Sequence, residues 1–334
     1  MIIVGVVRGG ISPEYKVSLD TGGSVLSHLR GHKLNDKYKA LDILIDREGA
    51  WHINGMPLDP HQLIHKVDVV WNALHGDYGE DGKIQQLFGE LGVRYTGSGA
   101  FASAVGYNKA LTKQRFSQFG IRTPKHMLFP VYMPDIDGEV NIYAQRCALH
   151  VLRNMPPSWV TKPVSAGSSI GIHVCHTMDD LIRVFHEHAH SKMGLLVEEL
   201  INGKEASVGV IEGFRGEDHY SLPPVEIRIP KKKSFFDYEA KYSGQSEEVC
   251  PGNFTHDEKA ELSRLAKLIH KELGLAHYSR SDFIVTRERG IYALEVNTLP
   301  GLTDQSLTPR ALYAIGSNMA EFIDHVLGLA LERK

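Results

Sequence analysis

Cysteine is scarce in this chain. Three stand at positions 147, 175 and 250 of 334 residues. Three widely spaced thiols form neither a disulfide framework nor a zinc-binding spacing, so a reducing, cytoplasmic setting is expected. Long apolar runs are also missing. Nothing approaches the ~20 residues that cross a bilayer, and the apolar start at residues 1–7 is too short for a signal peptide. No membrane partner is expected. Charge of one sign is lacking too: 37 Lys and Arg face 40 Asp and Glu, a net charge of −3. That leaves no electrostatic footprint for nucleic acid. The one strong basic cluster, residues 231–233, reads as a solvated loop. There is no G-x-G-x-x-G after the Gly9-Gly10 pair and no P-loop, which excludes the common nucleotide fingerprints. No internal repeat or low-complexity tract is present.

What is present is a soluble α/β pattern with 42% hydrophobic residues, long enough for two or three subdomains. Residues 2–7, 41–45 and 67–71 read as buried strands, 17–29 as a helix, and Ile84, Leu87, Phe88 and Leu91 share helical spacing. This predicts a parallel sheet with covering helices. A helix is predicted over 107–120, strands over 125–129, 159–162 and 172–175, and a proline-bearing variable stretch over 130–157. A helix over 178–190 and a strand over 195–198 follow. Beyond them come strands over 206–211 and 222–229, a helix opened by the Thr255…Glu258 capping box, and one helix over about 309–331. His186, His188 and His190 read as an exposed helix face.

The chemistry concentrates near the C-terminus. Two apolar runs, 283–285 and 291–294, flank a turn at 287–290 and suggest a hairpin. Glu295 and Asn297 are two apart and so share a strand face, and Asp282 can return beside them. Two carboxylates and a carboxamide are hard oxygen ligands suited to Mg²⁺ or Mn²⁺. A solvated strand end is the competing reading. The glycine-serine loop of residues 166–171 sits between two strands, where backbone amides and hydroxyls can close over phosphate; a plain hairpin turn is the alternative. Lys162, on the strand before it, favours the phosphate reading, and Lys109 is a second candidate. The segment Glu198, Glu199, Ile201 and Glu205 has the form of a nucleotide-base linker with a ribose acceptor.

Several motifs then occur in a fixed order: Gly9-Gly10…Glu14…Ser18, Ala73-Leu-His75-Gly…Glu80-Asp81-Gly82, Thr96-Gly-Ser-Gly99, residues 162–171, Phe236…Lys241-Tyr242, Cys250-Pro251, Arg280-Ser-Asp282 and residues 295–306. Together they resemble the ATP-grasp carboxylate–amine ligases, and closely the D-alanine–D-alanine ligases, nearly end to end. The resemblance implies a three-subdomain ATP-grasp fold behind a parallel-sheet N-terminal domain, divided at 1–107, 108–200 and 201–334, with a mobile loop at 230–252. It implies ATP, D-alanine and two Mg²⁺ or Mn²⁺ ions held by Asp282, Glu295 and Asn297. Lys109, Lys162 and Lys241 would meet phosphates, and Ser169 would lie in the phosphate loop. Arg280 and the Gly301 amide would face an oxyanion. Glu14 and His75 would meet the first substrate, and Ser306 and Leu307 the second. Ser168 and Tyr242 would link loop, lid and Glu14. A homodimer is implied as well. Departures from the pattern stand at Ser165-Ala166, Phe236, Asp304-Gln305 and Lys16.

Overall fold

The computed structural model describes residues 1–165, 167, 171–228 and 247–333. The first sheet is built around β1 (Ile2–Gly9), which is flanked by helix α1 (Tyr15–Arg30) and pairs with β2 (Tyr38–Ile45). β3 (Trp51–Ile53) and β4 (Met56–Pro57) extend one edge, and β5 (Val69–Asn72) lies on the other side of β1. β2, β1 and β5 run parallel. Val4 and Val6 face α1, while Val7 faces α2 (Lys83–Glu90) through Ile84 and Phe88. Both faces of β1 are covered, which is why its sequence is an unbroken apolar run. Gly9 and Gly10 both have positive φ, and a Cβ on Gly9 would lie 2.2 Å from the Ile45 carbonyl. The glycine pair therefore makes the tight exit that carries Glu14 into place.

Helices α3 (Ala100–Tyr107) and α4 (Lys109–Gln118) follow. The expected single helix over 107–120 is broken at Asn108, whose side chain caps α4 by accepting from the Ala110 and Leu111 amides. A second sheet has the order β6 (His126–Phe129), β9 (Leu195–Glu199), β7 (Trp159–Pro163), β8 (His173–Cys175), all antiparallel. α5 (Pro134–Asp137), α6 (Val140–Asn154) and α7 (Met178–His188) belong with it. The stretch expected to be variable thus contains α6, which buries Tyr143, Ala144, Cys147, Ala148 and Val151 at helical spacing.

The third sheet has the order β13 (Glu247–Val249), β12 (Val225–Arg228), β10 (Lys204–Glu212), β14 (Tyr278–Val285), β15 (Ile291–Asn297), with β11 (His219–Ser221) also on β10. The expected strand over 222–229 does not include Leu222, because Pro223-Pro224 cannot donate to a ladder and separates β11 from β12. α8 (His256–Glu272) covers one face and starts at the expected capping box. The expected helix over 309–331 is two helices, α9 (Leu307–Ala314) and α10 (Met319–Glu332). Gly316 turns with φ +72° and Asn318 caps α10, so the break is chemically specified. α10 returns to pack on the first sheet. No described helix is long and apolar enough to cross a membrane.

Candidate active site

The third sheet has one face under α8 and one face turned to a cleft. On β10, Ala206, Val208 and Val210 point into the α8 core, so Glu205 and Ser207 point the other way. On β14, Phe283 and Val285 join that core, leaving Arg280, Asp282 and Ile284 in the cleft. β15 needs a device to match. Ala293 and Val296 both face α8, although they are three residues apart. The register slips between Asp282 and Phe283, so Leu294 is an extra residue in the ladder. This β-bulge reverses the alternation and brings Glu295 and Asn297 onto the cleft face with Asp282. Without it they would share the face of Ala293.

The expected trio is therefore assembled. Asp282 stands opposite Glu295, and Asn297 Nδ2 donates to Asp282 Oδ2 at 3.0 Å. Arg280 grips Asp282 through two bonds, Nε at 3.0 Å and Nη2 at 2.9 Å. Burial alone would lower the Arg280 pKa, but Asp282, then Glu295 and Glu80, raise it above the ordinary value. Ser207, directly across the ladder, donates to Asp282 Oδ1 at 2.5 Å. Beside these charges Ile201, Ile284 and Tyr292 form a small apolar cluster with Leu294. A flat apolar patch next to a polar cluster suits an aromatic base followed by phosphates.

The lysines converge from the opposite side. Lys109 Nζ lies 3.5 Å from Glu295 Oε2. Lys162 Nζ lies 2.9 Å from Glu198 Oε2, and Lys113 Nζ lies 2.8 Å from Glu198 Oε1. All three members of this triad are buried. Burial pushes Lys113 down against the pull of Glu198, and neighbouring Lys162 adds to the lowering. Glu198 stays below its ordinary value despite burial, because two cations face it. Its carboxylate thus holds Lys162 in place. Sequence reasoning missed Lys113, although it is four residues after Lys109 on one helix face. It also missed Ser207, for which no sequence signal was present, and Glu80, quoted only as part of a motif.

Glu199 accepts from the Lys125 amide at 3.0 Å and from Arg289 at 3.0 Å. Ile201 is buried in the apolar cluster. Glu205 is raised to about 7, by desolvation first and then by Asp282.

Glu14 is buried near two glycines. A Cβ on Gly76 would lie 2.7 Å from Glu14 Oε2, and one on Gly167 only 2.3 Å from it. The backbones of the His75 loop and the glycine-serine loop therefore meet at this carboxylate. His75 is buried, with Nε2 3.0 Å from Thr21 Oγ1 and Nδ1 3.8 Å from Glu80 Oε1. Ser306 stands at the N-cap position of α9, but its hydroxyl makes no cap bond and is turned to Thr303 Oγ1 at 2.8 Å. Leu307 opens α9, and a Cβ on Gly301 would lie 2.9 Å from Ser306 Oγ. Ser168, Ser169, Lys241 and Tyr242 lie outside the described residues, as do Phe236, the 231–233 cluster and residues 230–246 of the expected mobile loop.

The family model of the D-ala D-ala ligase C-terminus matches residues 134–328, and that of the N-terminus matches residues 54–98. The D-alanine–D-alanine ligase of Geobacillus thermodenitrificans is 33% identical over 99% of this chain and 95% of its own length. That of Geotalea uraniireducens is 35% identical over 98% and 95%. Among solved structures, the D-alanyl-alanine synthetase A of Vibrio cholerae has a TM-score of 0.83 at 26% identity, covering 99% of each chain. The D-alanine–D-alanine ligase of Bacillus anthracis, solved with ATP, scores 0.78 at 26% identity over 99% and 98%. A D-Ala:D-Ser ligase from Enterococcus faecalis scores 0.81 at 27% identity over 98% and 99%.

Proposed function

This chain belongs to the D-alanine–D-alanine ligase family, and we propose that it uses the cleft between its second and third sheets to join two D-alanine molecules at the expense of ATP, for peptidoglycan synthesis. The fold is that of the ATP-grasp ligases. The observation that carries the reading is the convergence of Arg280, Asp282, Glu295 and Asn297 on one sheet face, opposed by Lys109 and the Lys162–Glu198–Lys113 triad.

The chemistry follows from a simple difficulty. A carboxylate does not react with an amine, because oxide is a poor leaving group. Transfer of the γ-phosphoryl group to the carboxylate of the first D-alanine gives an acyl phosphate. The amine of the second D-alanine then attacks the acyl carbon, and phosphate departs. Such transfers need charge neutralisation and alignment more than covalent help. Lys109 and Lys162 bind α/β-phosphate oxygens, and Lys241 the γ-phosphate. Glu199, Ile201 and Glu205 receive base and ribose, with Glu198 anchoring Lys162. Arg280 and the Gly301 amide stabilise the tetrahedral oxyanion; Arg280 suits this because it is half-buried, charged and already oriented by Asp282. Glu14 receives the first substrate's ammonium near His75, and Ser306 with the Leu307 amide receives the second substrate's carboxylate. That role requires the Ser306 hydroxyl to leave Thr303. Ser169 belongs to the phosphate loop, and Ser168 and Tyr242 are the residues assigned to link that loop and the lid to Glu14.

The oxygen donors of Asp282, Glu295 and Asn297, converging on one face, fit two Mg²⁺ or Mn²⁺ ions. When bound, these would neutralise triphosphate charge. The subdomain division at 107 and 200, the lid at 230–252, a cytoplasmic setting and a homodimer complete the proposal. Mass spectrometry of products from ATP, Mg²⁺ and D-alanine tests it, with D-lactate and D-serine offered as competing second substrates. D-alanyl-D-alanine is the expected main product. Predominant mixed product, or no D-alanine-dependent phosphate release, would overturn it.

A further inference from the structure

On the face of the third sheet away from the cleft, Glu212, His219 and His270 place one ligand atom each within 4.8 Å of the others. They come from three elements: Glu212 ends β10, His219 starts β11 and His270 lies in the last turn of α8. His270 is fully buried, and its Nε2 has no hydrogen-bond partner among the described residues. Glu212 Oε1 is 3.5 Å away, too far for a charge-assisted bond. His270 Nδ1 is 2.7 Å from Ser279 Oγ. With the Nδ1 proton donated to Ser279, the Nε2 lone pair faces the Glu212 carboxylate, and the two can share a cation. Glu212 Oε2 already accepts from the His277 amide at 2.5 Å, so Oε1 is the oxygen left to coordinate.

We propose that Glu212, His219 and His270 form a three-ligand site for a zinc-class divalent cation. Tetrahedral zinc with nitrogen and oxygen ligands places neighbouring ligand atoms about 3.4 Å apart. The Glu212–His270 separation already matches, and only His219, on a short strand, needs to move inward. Ser279 and the His277 amide supply the outer bonds that fix ligand orientation in such sites. His219 opens on a surface concavity bordered by Glu217, Asp218, Lys267 and Lys271, which gives an entry path and room for a water as fourth ligand. Two imidazoles and one carboxylate select a borderline metal over Mg²⁺, which prefers oxygen alone. The cation would tie the returning end of α8 to the β10–β11 hairpin, away from the catalytic face.

The test uses full-length protein stripped of metal by chelation, without nucleotide. Zn²⁺ is titrated with direct measurement of bound metal, and Co²⁺ is substituted to read the visible bands of a tetrahedral site. One tightly bound zinc per chain is expected, with a thermal shift upward. His219→Ala is expected to abolish tight zinc binding and remove the Co²⁺ bands while basal ligase activity persists. His270→Gln is the second variant, read by Co²⁺ spectrum. Asp282→Asn, in the cleft, and His186→Ala, on α7, are expected to retain the site. Unchanged zinc stoichiometry and Co²⁺ spectrum in His219→Ala, or loss of the tight zinc in Asp282→Asn or His186→Ala, would overturn the assignment, as would no zinc bound by the wild type.

Discussion

Glu198 carries a charge where water does not reach, and two buried lysines compensate it. Removing one member of such a group leaves an uncompensated buried charge, which costs roughly 3–5 kcal/mol. Glu198→Gln strands both lysines and is expected to destabilise by about that amount in denaturant unfolding. Lys113→Met leaves the Glu198–Lys162 pair intact and should cost less than half as much; equal costs would contradict the anchoring role. Glu205 offers a pH signature. Its folded value near 7 lies above the ordinary 4.5 because burial and Asp282 disfavour its charge. A raised carboxyl stabilises the fold fully below pH 4.5, and that contribution is lost as pH rises through about 7. The ligand-free protein should therefore lose up to about 3 kcal/mol across this window. Glu205→Gln should flatten the profile measured by thermal unfolding, and an unchanged slope would refute the assignment.

At the scale of elements, the bulge in β15 decides whether the acids face substrate or core. Deleting Leu294 removes the extra residue but leaves both flanking registers usable, since Ala293 and Val296 would still face α8. The deletion variant is expected to fold and to keep Glu295 and Asn297 in the cleft. It loses one apolar contact with Ile201, Ile284 and Tyr292, which should raise KM for ATP about tenfold. An unfolded variant would count against this account. The bulge also marks the limit of what the sequence conveyed. The turn at 287–290 and the Glu-x-Asn spacing were enough to expect Asp282 beside Glu295, yet simple alternation from Tyr292 would have buried both acids. Lys113 could have been read from its i,i+4 relation to Lys109, but its partner Glu198 is distant in sequence and only strand pairing brings it near. The Thr255…Glu258 capping box and the turn at 287–290 were legible because their chemistry is local. Breaks at Asn108 and Gly316 were overlooked because apolar spacing continues across them.

The whole molecule is less divisible than its three sheets suggest. Trp71 on β5, Tyr278 on β14 and Phe322 on α10 meet in one aromatic group, with Tyr278 and Phe322 rings 5.3 Å apart and Trp71 6.2 Å from each. All three are nearly or fully buried. Helix α10 is last in the chain, yet Phe322, Ile323, Val326 and Leu327 share a core with Val4 and Val6 of the first strand. The sequence alone suggests separate early and late units, because a contact between opposite chain ends leaves no periodic signal. A core drawn from both ends must form or melt as one. Phe322→Ala should cost about 3–5 kcal/mol through the cavity it leaves. It should do so in one transition, with tryptophan fluorescence and far-ultraviolet circular dichroism moving to the same lowered midpoint. Phe185, confined to the second sheet's core, supplies the contrast, since Phe185→Ala should leave the environment of Trp71 unaffected until that transition. If Phe322→Ala instead separated the two probes, α10 would be an appendage to the first sheet and not the joint that makes both ends of the chain one folding unit.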